Sequence, residues 1–391
     1  MKYNFDVITD RRGTGSEKWN VRENELPMWV ADMDFPTAPC IRRVVEKRAA
    51  HGIFGYSSFP ETWYEAYRNW WGTHHGLTIA REELLFVTGV IPAVASAVRE
   101  FTSPGDKVVI QTPVYNHFFT SIRNNGRQVL ENPLPYRDGK YEMDFEDLER
   151  KLSDPRATLM ILCNPQNPVG KIWSREELAR IGSLCQKHQV LVFSDEIHCD
   201  LTAPGQGYIP FASVDEICRT NSVTALAPTK AFNIAGLHTA AVFAPEEGLR
   251  ERMNRALNAD EAADPGAFAV DAVTAAFTAE GWEWLSALRD YIDENKQAAY
   301  AFFEKELPEI HAVPQNATYL MWLDISRCAD DSGMFQRFLR KATGLYVTPG
   351  TIYGGDGNHF LRLNVACPRN VLEDGLNRLK TGLALWRARQ D

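Results

Sequence analysis

The sequence predicts an α/β protein: a large domain built on a mostly parallel central sheet flanked by helices, with a smaller α+β domain beside it. Short apolar runs at 159–162 and 190–193 and a buried-looking strand at 222–226 are separated by stretches of helical character, and strands that alternate with helices read as a largely parallel sheet. Each run is followed by polar or turn-forming residues, namely Cys163-Asn164-Pro165, Ser194-Asp195-Glu196 and Ala227-Pro228-Thr229-Lys230, at the strand ends where open α/β sheets bind ligands. The length of 391 residues suffices for one large domain with a satellite.

In chain order, residues 1–44 combine polar residues with Trp29-Val30-Ala31-Asp32-Met33-Asp34-Phe35 and then Pro36 and Pro39, the pattern of an extended arm. Helical spacing begins near Ile41 and breaks at Gly52, and Phe54-Gly55-Tyr56 follows in a loop. Trp63, Tyr64, Tyr67, Trp70 and Trp71 share helical spacing and read as core. Residues 84–87 read as a strand, Thr88-Gly89 as a turn, and 90–101 as a helix with Pro92 in its first turn. The amides of Val90 and Ile91 then point out of a helix N-terminus, which favours a phosphate. Neither a Gly-x-x-x-x-Gly-Lys loop nor a Gly-x-Gly-x-x-Gly after a strand is present.

Pro104-Gly105-Asp106 turns into a strand at 107–111, and Tyr115 follows that strand's end. After the strand near 158–162, Ser174-x-x-Glu177 forms a capping box that opens a helix, and the next strand starts at Val190. An alanine-rich helical stretch at 262–278 leads to a long helix around 282–305. Strand patterns at 318–324 and 361–365 flank a glycine-rich segment at 348–358, read as a mobile loop at a cleft because no helix starts after it. The expected division is a large domain at 45–285 and a small one made of 1–44 and 286–391.

The net charge of −9 opposes general affinity for nucleic acid or anionic membranes. No apolar run reaches transmembrane length, and Met1-Lys2-Tyr3-Asn4-Phe5-Asp6 lacks the apolar core of a signal peptide, so a cytoplasmic protein is expected. Seven cysteines at irregular spacings, without a Cys-x-x-Cys pair, predict neither disulfides nor a metal site.

Lys230 is the residue on which a function turns. It follows an apolar strand and a Pro-Thr turn and precedes small and apolar residues, so its ammonium would lack water and its pKa would fall. A neutral amine is the form that attacks a carbonyl cofactor. Taken alone the stretch reads more readily as a surface lysine in a turn. Two distant segments reverse that preference: Asp195 at the end of a buried strand, and the rigid turn 163–170 with its two Asn-Pro steps.

The ordered set Asn164-Pro165-x-Asn167-Pro168-x-Gly170, Ser194-Asp195-Glu196-Ile197-His198, Pro228-Thr229-Lys230-x-Phe232-Asn233-x-Ala235-Gly236 and Arg362-Leu363-Asn364 resembles the fold-type I pyridoxal-phosphate enzymes of the class I/II aminotransferase group. Leu26-Pro27-Met28-Trp29-Val30-Ala31-Asp32-Met33-Asp34-Phe35, Asp195-x-x-His198 and the run from Lys230 to Leu237 narrow the resemblance to the MalY/PatB-type cystathionine β-lyases (C–S lyases). The resemblance implies pyridoxal 5'-phosphate (PLP) carried by Lys230, which as a free amine removes the substrate's Cα proton. It implies Asp195 against the pyridinium nitrogen, Tyr115 stacked on the ring, Asn167 on the ring oxygen and His198 beside the cofactor. Val90, Ile91 and Thr229 would hold the phosphate, with Tyr56 reaching it from the neighbouring subunit of a homodimer. Arg362 would grip the α-carboxylate, with Ala31 and Asn167 also near the substrate; read from the strand alone, Arg362 is equally a solvated charge.

Aminotransferases of this group usually carry a tyrosine where this chain has His198 and an arginine where it has His238. Both departures follow the lyase pattern. The expected activity is therefore β-elimination from L-cystathionine or a related L-cysteine S-conjugate, giving thiol, pyruvate and ammonia. The alternatives are transamination between an L-amino acid and a 2-oxo acid, and an added regulatory role in binding a protein, for which no sequence feature marks a surface.

Overall fold

Seven strands, β1 (Leu84–Val87), β2 (Lys107–Ile110), β3 (Gln128–Glu131), β4 (Ala157–Cys163), β5 (Leu191–Asp195), β6 (Ser222–Leu226) and β7 (Ala240–Phe243), form the central sheet of the computed structural model, which describes residues 3–389. Their order is β1-β7-β6-β5-β4-β2-β3. All neighbours are parallel except β7, which runs antiparallel to both β1 and β6. β4, β5 and β6 are buried almost throughout and mostly apolar because helices cover both faces of the sheet; Ile161, Phe193 and Val223 are buried on one face, Leu162, Val192 and Thr224 on the other. The register sets Cys163 opposite Asp195 and Asp195 opposite Ala225. Three strand ends therefore reach one edge at the same level, and β1, parallel to β6, brings Thr88-Gly89 and the following helix Val90–Phe101 to that edge.

A second sheet contains β8 (His311–Ala312), β9 (Leu320–Asp324), β10 (Thr348–Pro349) and β11 (Phe360–Asn364), antiparallel in the order β8-β9-β11-β10. The helix Ala279–Glu306 connects the two sheets. The N-terminal arm joins the second sheet's side: Leu26–Pro27 pairs with Leu345–Tyr346, and Asn364 N donates to Met28 O at 3.0 Å and Asp34 N to Ala366 O at 2.9 Å.

Several expectations are met atom by atom. The helix Pro39–His51 stops at Gly52, whose φ of 77° is the left-handed cap glycine tolerates. In the capping box, Ser174 Oγ accepts from Glu177 N at 3.1 Å and Glu177 Oε2 from Ser174 N at 2.8 Å. Trp63, Tyr67, Trp70 and Trp71 are buried.

Two expectations fail. Within 262–278 only Ala269–Ala276 is helical, because Asp264-Pro265-Gly266 cannot continue a helix whatever the alanine content. Residues 348–358 do not form an open loop. They fold into two 3-10 turns, Gly350–Tyr353 and Gly357–His359, with Tyr353 buried; a side chain at Gly350 would collide with Gly357 O, and one at Gly357 with Gly350 O. The glycines allow two backbones to touch. No described helix is long and apolar enough to cross a membrane.

Candidate active site

The edge where the strands end is hollowed into a cavity of about 380 Å³. Its walls bring together Ala31, Val90, Ile91, Tyr115, Asn167, Asp195, His198, Thr229 and Lys230, nine of the residues singled out in the sequence. Arg362 joins through Asn167, whose Oδ1 accepts from Arg362 Nη1 at 3.2 Å. Tyr56 is fully exposed and does not line this cavity.

Lys230 is presented by a turn after β6, closed by Phe232 N donating to Pro228 O at 2.9 Å and Ile234 N to Thr229 O at 3.0 Å. Asn233, in the left-handed region with φ of 55°, fixes the turn to the arm: its Oδ1 accepts from Met33 N at 2.9 Å, and its Nδ2 donates to Met33 O at 3.0 Å and Phe35 O at 2.9 Å. Lys230 Nζ donates to Ala31 O at 2.6 Å. Burial, with Arg362 adding repulsion, lowers its pKa to about 8 against the pull of Asp32 and Asp195.

Asp195 closes β5 and is 3% exposed. Burial pushes its pKa up to about 7, opposed by the hydrogen bond from Ile197 N at 3.1 Å and by Lys230. Its neighbour Glu196 points the other way and is structural, accepting from Ser194 Oγ at 2.8 Å, Tyr208 Oη at 3.0 Å and Phe211 N at 2.9 Å. Glu196 thus has three donors and Asp195 one, which leaves Asp195 the acid that a bound cation would satisfy.

His198, one turn on, is buried, and its Nδ1 has no partner among the described residues. Burial, Lys230 and Arg362 push its pKa down to about 3, so the ring is neutral near pH 7. Asn167 sits in the turn after β4, where both Asn-Pro peptide bonds are cis. Gln166 Nε2 ties this turn to the Tyr115 segment through Gln111 O at 3.1 Å and Pro113 O at 2.9 Å. The Tyr115 phenol is pushed up to about 12 by burial and stays protonated.

At the other end of the cavity the helix Val90–Phe101 has no side-chain cap, leaving its first amides to face whatever binds there. Thr229 and His238 line this space, as does Thr239, fully buried with an Oγ1 that has no partner among the described residues. A positive helix end with an unpartnered hydroxyl suits a phosphate.

Arg362 is 5% exposed, which settles its face: inward. Its Nη2 donates to Trp29 O at 3.1 Å, its guanidinium lies 5.0 Å over the Tyr353 ring, and its Nε has no partner among the described residues. Sequence reasoning missed Cys163 and Thr239 in the wall, and Tyr319 and Asn364 behind Ala31. Asn364 had a signal, since it lies two residues from Arg362 on one strand and so on the same face; Tyr319 had none. Among the described residues one His/Cys/Asp group lies close enough to hold a metal, His75, Cys199 and Asp200. There the Asp200 carboxylate is already engaged by His75 Nε2 at 2.7 Å and by the Trp70 indole N–H at 3.0 and 3.2 Å.

The family profile of aminotransferase class I and II matches residues 24–379. Cystathionine beta-lyase PatB of Bacillus subtilis is 44% identical over 97% of this chain and 100% of its own length. Protein MalY of Escherichia coli is 34% identical over 96% of this chain and 97% of its own. The crystal structure of a PLP-bound C–S lyase from Staphylococcus hominis superposes with a TM-score of 0.91 at 33% identity, covering 97% of this chain and 98% of that one.

Proposed function

Because this chain belongs to the aminotransferase class I and II family, we propose from its cavity and its likeness to a cystathionine β-lyase that it is a PLP-dependent carbon–sulfur β-lyase. Its substrate is L-cystathionine or a related L-cysteine S-conjugate, and its products are thiol, pyruvate and ammonia. The observation that carries the reading is the meeting, in one cavity, of a lysine amine of lowered pKa, a buried acid with no ion-pair partner in contact among the described residues and an uncapped helix N-terminus. Those are the three groups PLP needs, for its carbonyl, its ring nitrogen and its phosphate. The likeness to PatB along the whole chain selects β-elimination among PLP reactions.

When bound, PLP supplies the electron sink that acidifies a substrate's Cα–H and lets a β-substituent depart. The chain's own residues do the rest. The amides of Val90 and Ile91, with Thr229, hold the phosphate. Asp195 would keep the ring nitrogen protonated, Tyr115 and His198 would wall the ring, and Asn167 would orient its oxygen. Arg362 takes the α-carboxylate with a planar two-pronged donor, beside Ala31. Lys230, as a free amine, would remove the Cα proton; a pKa near 8 leaves a useful neutral fraction at neutral pH. In a homodimer the exposed Tyr56 of a second copy reaches the phosphate. The two sheets support a division into a large domain, 45–285, and a small one, 1–44 with 286–391, in an enzyme working in the cytoplasm.

Borohydride reduction of the PLP-loaded protein tests the lysine: the cofactor should be fixed to Lys230, and fixation elsewhere would remove the assignment.

A further inference from the structure

We propose that Tyr319 and Asn364 are positioning residues for Lys230, acting through the backbone carbonyl of Ala31; the proposal rests on the reading of Lys230 given above.

Ala31 O accepts two hydrogen bonds, from Lys230 Nζ at 2.6 Å and from Tyr319 Oη at 3.0 Å. The carbonyls on either side belong to one side chain: Asn364 Nδ2 donates to Val30 O and to Asp32 O, each at 2.6 Å. Asn364 is itself held by Ala366 N, which donates to its Oδ1 at 2.8 Å. Tyr319 and Asn364 come from adjoining strand ends of the second sheet, since Leu320 pairs with Asn364, and Val365 N donates to Tyr319 O at 2.9 Å. Both side chains are buried. The peptide units around Ala31 are thus clamped on three sides, and the oxygen aimed at the lysine cannot turn away without breaking buried hydrogen bonds.

A carbonyl oxygen only accepts. An amine bound to it must therefore spend an N–H there, and the lone pair of the neutral amine is left to point elsewhere, over the reacting carbon. Once the amine has taken a proton, the same oxygen stabilises the ammonium. The clamp therefore fixes both the direction of the lone pair and part of the amine's proton affinity. The charged groups that face this amine are Asp195 from β5, Arg362 from β11 and Asp32 from the arm, with His198 facing it uncharged. Tyr319 acts by sharing the acceptor.

The sign follows. In Tyr319→Phe the Ala31 oxygen serves Lys230 alone, so the ammonium gains and the lysine's pKa rises. Asn364→Ala frees the flanking peptides and misdirects the amine. Two measurements read this out. The first is the pH dependence of kcat for pyruvate release, whose acidic limb requires the neutral amine. The second, with no substrate present, is the pH dependence of the rate at which PLP attaches to the cofactor-free full-length protein, followed by absorbance.

For Tyr319→Phe both midpoints should move up, by roughly half a pH unit. For Asn364→Ala, kcat should fall about tenfold with a smaller rise in KM, because Arg362 keeps its bond to Asn167 although the Trp29 carbonyl it also uses adjoins the freed Val30. Equilibrium PLP affinity should hold in both. Wild-type midpoints in Tyr319→Phe together with wild-type kcat in Asn364→Ala would overturn the proposal, as would losses confined to KM. Should Asn364→Ala fail to fold, Tyr319→Phe, which keeps the buried ring, decides alone. A wild-type enzyme that released no pyruvate would count against the lyase reading only, since the attachment midpoint does not depend on the reaction type.

Discussion

Asp195 is a buried carboxyl held at the expense of stability. In the cofactor-free protein its carboxyl has one donor and is pushed up to about 7 from an ordinary 3.8. The folded state therefore binds more protons than the unfolded chain between these values, and stability falls as pH rises from about 4 through 7. Three pKa units correspond to about 4 kcal/mol, less about 1–3 kcal/mol for the amide an asparagine would leave without a partner. Asp195→Asn should therefore stabilise the cofactor-free protein at pH 8 by about 1–3 kcal/mol and destabilise it by about 1–3 kcal/mol at pH 4, where only the unpartnered amide counts, by urea unfolding. A gain that does not change with pH would remove the argument. In the PLP-loaded enzyme the same change should cost several orders of magnitude in kcat, because the ring nitrogen loses a counter-charge worth roughly 5 kcal/mol at 3 Å; near wild-type turnover would exclude the role. Arg362→Lys should raise KM for cystathionine about tenfold or more with a smaller change in kcat, because one ammonium cannot match a carboxylate's two oxygens. An unchanged KM would move the carboxylate site elsewhere. At this scale the sequence was legible where a residue's type is unusual for its place, as with an aspartate ending an apolar strand; the lysine, four residues past its strand, reads as a surface residue until Asp195 and the 163–170 turn are set beside it. The sequence was not legible where a side chain works through someone else's backbone, as Tyr319 and Asn364 do.

Among the elements, strand ends and caps were readable because their signals are local. Ser174-x-x-Glu177 is a complete cap in four residues, and Ser174→Ala should cost about 1 kcal/mol in urea unfolding with kcat unchanged; a comparable loss of activity would mean the helix Arg175–Lys187 is coupled to the cavity. Failures came where composition was weighed above punctuation. Alanine richness at 262–278 outweighed Pro265-Gly266, and glycine content at 348–358 suggested looseness where Gly350 and Gly357 serve close backbone packing. Alternation around Arg362 gave a strand but not its face, since the inward face is chosen by the turn after β4 and by the arm, both distant in sequence.

Across the whole molecule, the arm is the part that sequence order hides. It pairs with Leu345–Tyr346 beside the second sheet, passes its carbonyls to Arg362, Asn364 and Tyr319, and meets the Lys230 turn through Asn233. Arg362 and Lys230 are thereby both held by one short strip of backbone, so the fold's two sheets meet at the cavity. Pyruvate release from L-cystathionine by the PLP-loaded protein, with no 2-oxo acid added, is the outcome that separates β-elimination from amino transfer. Pyruvate and thiol should appear together, at a rate that 2-oxoglutarate does not raise, and Lys230→Ala should release none while still binding PLP. Silence until 2-oxoglutarate is supplied, followed by glutamate in place of pyruvate, would contradict the account.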